Sequence, residues 1–146
     1  MAYCTQTDIV TIYGNPAICR WSSFVTPTPA TPDAVRIPAA IKYASARIDG
    51  HLANSQYVTP IVGTTIDPPS LINEIAATLA GYWLYNTRNE HATKEMDADM
   101  EKKRAMCYQQ LEAILTGRLP LLAASNTQTQ APFVVGGGCG GGGRCW

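Results

Sequence analysis

Leu71, Ile72, Ile75, Ala76, Leu79, Ala80 and Trp83 recur at three- and four-residue steps behind two prolines, and together they form an apolar stripe too wide to leave in water. A helix with such a face has to be wrapped by other elements. It is therefore predicted to be the most buried part of the fold, capped by Asp67 and started by Pro68 and Pro69. Three other segments offer the wrapping. TQTDIVTIYG places a hydroxyl cap at Thr5 or Thr7, an acid in the first turn and a stop at Gly14, which describes a short helix. From Pro38, Ile41, Ala44, Ile48 and Leu52 mark one helical face, with Lys42, Arg47 and Asp49 between them. From about Thr93 to Thr116, Met96, Met100, Cys107, Leu111, Ile114 and Leu115 share one side of a long charged helix that Gly117 ends.

Between these lie two proline-rich stretches. Residues 15 to 38 carry Pro16, Pro27, Pro29, Pro32 and Pro38 and are predicted to form a packed loop in which Trp21, Phe24 and Val25 supply apolar surface, with Trp21 and Phe24 adding more of it than one small core needs. Residues 54 to 68 are predicted to form an extended loop with some strand character. The expected fold class is mainly α: a small bundle of about four helices with long loops, occupying residues 1–123. Residues 124–146 form an arm that lacks helical periodicity and nearly all charge. Its end, FVVGGGCGGGGRCW, holds seven glycines, which lose the most backbone freedom on ordering and add nothing to a core. Such an arm has to be ordered by something outside its own domain. Phe133, Val134 and Val135 supply one anchor with strand chemistry, suited to adding a short β-strand to a partner, and Trp146 supplies the other.

The chain has 146 residues, 15% of them charged, with eleven basic and eleven acidic side chains. A net charge of zero disfavours affinity won by neutralising many phosphates, and no apolar run approaches a membrane span. The start MAYCTQTD has neither the basic flank nor the apolar stretch of a signal peptide, so synthesis and retention in a cytoplasm are expected, with thiols initially reduced.

The search for chemistry yields little. The glycine run is not a phosphate loop, because no Gly-Lys-Ser/Thr follows it, and no cofactor motif occurs elsewhere. Cys139 and Cys145 lie six apart and form a candidate disulfide; with Cys4, Cys19, His51 and His91 they lack the spacing of a zinc site, so no metal is expected. Cys107 falls on the apolar stripe, which argues for a buried, inert thiol, and neither histidine has a partner that sequence identifies. Lys102, Lys103 and Arg104 form a basic triplet that reads as a solvated helix face; many copies arranged concentrically would make it a DNA-channel or subunit contact. No catalytic residue and no enzyme are expected.

The order of segments says more than any one motif. MAYCTQTDIVTIYG, then ARIDGHLA, YVTPIV, PPSLINEIAATLAGYWLY and LEAILTGRLPL resemble the head-tail adaptor (connector) proteins of tailed bacteriophage necks, particularly the Mu-like branch, over residues 1 to about 122. The proline-rich loop and the glycine-cysteine arm depart from that pattern. The resemblance implies a structural virion protein of the neck, assembled in the host cytoplasm as a ring of about twelve copies, a dodecamer. The ring would dock on the portal protein, meet a tail-side neck or stopper protein, and pass packaged DNA without sequence specificity or contact with a membrane. It also implies a C-terminal arm lying on the portal, where Gly140, Gly141, Gly142 and Gly143 would allow close backbone approach between the anchors Phe133, Val134, Val135 and Trp146. Two other readings stand beside it: a neck stopper or tail-completion subunit, a class richer in β-structure, and a small metal-stabilised nucleic-acid-binding domain using the cysteines and the basic triplet.

Overall fold

Thr5 closes a capping box with Asp8: its hydroxyl accepts from the Asp8 N–H at 3.4 Å, and the Asp8 carboxylate accepts from the Thr5 N–H at 2.7 Å. This box opens helix α1, Gln6–Tyr13, which Gly14 ends at φ 84 with its N–H on the Val10 carbonyl. The computed structural model describes residues 1–63, 69–88 and 93–121. Helix α2, Asn15–Ser22, follows Gly14 directly. It corrects the expectation of a loop from residue 15: Pro16 sits in the first turn, where a missing N–H costs nothing, and Ile18, Cys19 and Trp21 turn inward to be buried. Loop structure begins only at Ser23, so the described residues contain five helices where about four were expected.

Helix α3, Arg36–Leu52, starts under Asp33, whose carboxylate accepts from the Val35 and Arg36 N–H groups at 2.8 and 2.7 Å. Pro38 occupies its first turn as expected, and Ala44, Ile48 and Leu52 are buried, whereas Ile41 is half-buried. Of the strand character expected in the next loop, the described residues keep only isolated bridge positions at Tyr57 and Gly63, and they contain no strand.

Helix α4, Ser70–Arg88, touches all four other helices and is the central element, as its wide apolar face requires. Its buried set runs from Ile72 through Ile75 to Gly81, Leu84 and Tyr85; Leu71 and Trp83 are only half-buried, which corrects Trp83 as a core anchor. The Asp67 cap lies outside the described residues. Helix α5, Lys94–Leu115, is capped by the Thr93 hydroxyl on the Met96 N–H at 3.1 Å and ends before Gly117 at φ 74. It packs against α3 and α4. Met100, Cys107, Leu111 and Ile114 are buried, but Met96 is 40% exposed, so the apolar stripe begins a turn later than its sequence pattern implies.

The N-terminal segment is fastened across this bundle. The Tyr3 hydroxyl donates to Asp49 and accepts the Ile61 N–H at 2.7 Å, while Asn73 donates to the Tyr3 carbonyl at 3.1 Å. Trp21 stands at the centre of an aromatic group, with edge contacts to Tyr13 and Tyr85, both at 5.3 Å between ring centroids. The described chain ends at buried Leu121, whose N–H donates to the Tyr57 hydroxyl at 2.7 Å.

Candidate functional site

The loop between α2 and α3 holds its ends in place and presents apolar side chains to solvent. The Asp33 N–H reaches the Ser22 hydroxyl at 3.0 Å, and the Cys19 thiol reaches the Ala30 carbonyl at 3.3 Å. Between these ties Phe24 and Val25 are 62% and 63% exposed, and Val35 is 78% exposed just before α3. Arg36 stiffens the arrangement: its guanidinium lies 4.3 Å from the centre of the Phe24 ring and 5.4 Å from that of Trp83, and donates to the Thr87 hydroxyl at 2.6 Å. Burial pulls the Arg36 pKa below its ordinary value and the nearby positive charge of Arg88 adds to this, against the opposing pull of Asp33. Trp21, expected with Phe24 as loop surface, belongs to the core instead.

A second apolar surface lies between α1, α4 and α5, where Ile12, Ile75, Thr78 and Met106 line a groove of about 180 Å³. Ile12 and Met106 are 37% and 51% exposed there. Neither residue stands out in the sequence, because the groove joins three helices distant along the chain.

The basic triplet sits on α5, but two of its charges are engaged. Lys103 pairs with Asp99 at 2.8 Å, and Arg104 pairs with Glu101 at 3.2 Å while lying over the Tyr82 ring. Lys102 is exposed. Pairing within one helix leaves this face weakly basic.

Cys107, expected to be a buried and inert thiol, is buried, and so are Cys4 and Cys19. Desolvation pushes Cys107 up to about 11, helped by Glu74 and opposed by a hydrogen bond with Thr78; desolvation and then Asp8 push Cys4 up to about 12. His51 gains a partner the sequence did not identify, since α5 brings Glu112 to 3.4 Å from its Nε2. The proposed arm residues Phe133, Val134, Val135, Gly140 to Gly143 and Trp146, the Cys139–Cys145 pair and His91 all lie outside the described residues. Among the described residues, no helix is long and apolar enough to cross a membrane, and no three His, Cys, Asp or Glu side chains converge as metal ligands would.

No curated protein matches the chain. The family described as "Bacteriophage Mu, Gp36" does, over residues 3–134. That span is most of the chain, takes in the five helices of the described residues and stops short of the last glycines and cysteines, so the chain belongs to the bacteriophage Mu Gp36 family.

Proposed function

We propose that the chain is a head-to-tail adaptor of a phage neck: a structural ring subunit that docks on the portal, extends the DNA channel toward the tail and catalyses nothing. The observation that carries this reading is the family match across the whole helical body, which agrees with the resemblance to adaptor proteins over the same segments. The helical character of the described residues favours an adaptor over the more β-rich stopper class. Burial holds the Cys4 and Cys107 thiols far above neutrality, so neither of these two offers a ready nucleophile. In this reading the arm from residue 124 lies on the portal, and the subunit occupies the virion neck. The test is immunolabelling of negatively stained virions with antibody raised against the body. Label at the head-tail junction is the expected result; label on the capsid or the tail tip, or none on the particle, overturns the proposal.

A further inference from the structure

We infer that two copies of this chain pair through α3, the two helices running antiparallel, so that Lys42 of each copy meets Asp49 of the other. The inference goes beyond the proposed neck role and does not depend on it.

The first observation is a side of α3 that the bundle leaves open. Pro38, Ile41, Lys42, Ser45, Ala46 and Asp49 follow one another at steps of one, three or four residues along this side, and they line a groove of about 570 Å³. The remainder of the lining comes from the segment before α1, and no other helix contributes to it. Apart from Lys42, Ser45 and Asp49 the lining is apolar. Lys42 and Ala46 are exposed, and Met1 at the rim is 59% exposed.

The second observation is charge. Lys42 and Asp49 are seven residues apart, which is about two turns or ~10 Å along the same side of the helix. Among the described residues neither belongs to an ion pair. Asp49 is half-buried and accepts the Tyr3 hydroxyl at Oδ1, but that donor is neutral, so the carboxylate keeps its charge and its second oxygen. The two arginines of α3 are turned to the helix's other flank, Arg36 over Phe24 and Trp83, and Arg47 over Tyr43. The Met1 ammonium also borders the groove, so recognition here rests on the pattern of charge and not on its net sign.

The third observation is that this pattern is its own complement. Reversing α3 about the point between Ser45 and Ala46 exchanges positions 42 and 49, so a two-fold axis there brings each lysine to the other copy's aspartate. The side chains at that midpoint are small and let two helices approach closely. Parallel pairing would set Lys42 against Lys42 and Asp49 against Asp49, and like charges brought together disfavour an interface. Exposed ion pairs contribute only ~0–1 kcal/mol each, so the two crossings fix the register while burial of the apolar lining supplies the affinity. A two-fold contact closes on itself. It therefore describes the free subunit, and any ring has to be built through other faces.

Zero-length carbodiimide coupling of the full-length chain tests the contact, using an equal mixture of ¹⁴N- and ¹⁵N-labelled protein. Mixed-isotope peptides joining Lys42 to Asp49 are the expected product, and sedimentation should show a concentration-dependent dimer. Lys42→Glu and Ala46→Glu change exposed residues and should keep the helical circular-dichroism spectrum, yet each should weaken the dimer at least about tenfold. Asp49→Lys alone should also be monomeric, but mixed with Lys42→Glu it should form heterodimers, because both crossings then join opposite charges. Should Asp49→Lys fail to fold through loss of the Tyr3 contact, the coupling product and the two α3 variants still decide. A monomer at every concentration, a dimer indifferent to Lys42→Glu and Ala46→Glu, or intermolecular coupling that omits the Lys42–Asp49 pair would each overturn the inference. Any of these results leaves the immunolabelling test of the neck role unaffected.

Discussion

At the scale of single residues, the most constrained position is Gly81. A methyl group built there falls on the Tyr13 ring, 2.9 Å from Cζ and nearer still to two other ring carbons. Tyr13 has little room to yield, because it stacks edge-on with Trp21 and donates to the Thr78 carbonyl at 3.0 Å. Replacing a helical glycine with alanine ordinarily gains about 1 kcal/mol, but overpacking a core costs ~1–3 kcal/mol, and the rigid ring makes the second effect win. Gly81→Ala should thus lower the melting temperature, and the loss should shrink or reverse in a Tyr13→Leu background, where a double-mutant cycle reads the coupling directly. Asp8 governs a smaller effect with a defined direction. Hydrogen bonds from the Thr5 N–H and then the Asn73 amide hold its carboxyl below the ordinary value of 3.8. A depressed folded pKa contributes stability that is present above the unfolded value and lost as pH falls through the folded one. Melting temperatures taken from pH 7 to 3 should therefore fall more steeply below about pH 4 in the wild type than in Asp8→Asn. The difference should be modest because solvent screens this partly exposed group.

At the scale of elements, α2 and the two tryptophans show what the sequence conceals. Proline density between residues 15 and 38 reads as loop, yet a proline in a first turn is compatible with helix, and two turns leave too few residues for a periodicity to declare itself. By contrast α1 and α5 were legible because a cap, an acidic first turn and a terminal glycine each mark a boundary, and α4 because its stripe is wide. Trp83 fits the α4 stripe but is only half-buried, on the side of the helix that meets Tyr43 at 5.9 Å between ring centroids and Arg36. Trp21 is 6% exposed and has an aromatic contact on each of two sides. Trp21→Ala should therefore cost ~3–5 kcal/mol, as expected for a large aromatic removed from a core, and Trp83→Ala markedly less. Urea titrations of both variants check the order, and equal midpoints would show that the aromatic group around Trp21 is not the centre of the fold. The groove beside Ile12 and Met106 could not be read in advance, because it depends on how α1, α4 and α5 meet, which is long-range information that no local pattern carries.

For the whole molecule, the question is where the folding unit stops and the assembling unit begins. Leu121 is buried and its N–H is held by Tyr57, so residues 117 to 121 still belong to the body although they follow the last helix. A chain truncated after Ala123 keeps this closure and should match the full-length protein in helical circular dichroism and melting temperature. A chain truncated after Thr116 loses Leu121 and should melt lower, because part of the apolar surface around Tyr57 is then exposed to water. These two boundaries separate stability from attachment. If residues 124–146 are the docking arm, the longer truncation should fold normally and yet fail to co-sediment with purified portal, having lost Phe133 to Val135 and Trp146 together. Replacing Gly140 to Gly143 with alanines asks the finer question in the intact chain. A loose tether tolerates four methyl groups, whereas a backbone lying close against another backbone, or held at positive φ, does not. That variant should keep the wild-type melting temperature and lose portal binding and infectivity, and particles formed at wild-type yield would show that the arm's glycines are not needed for docking.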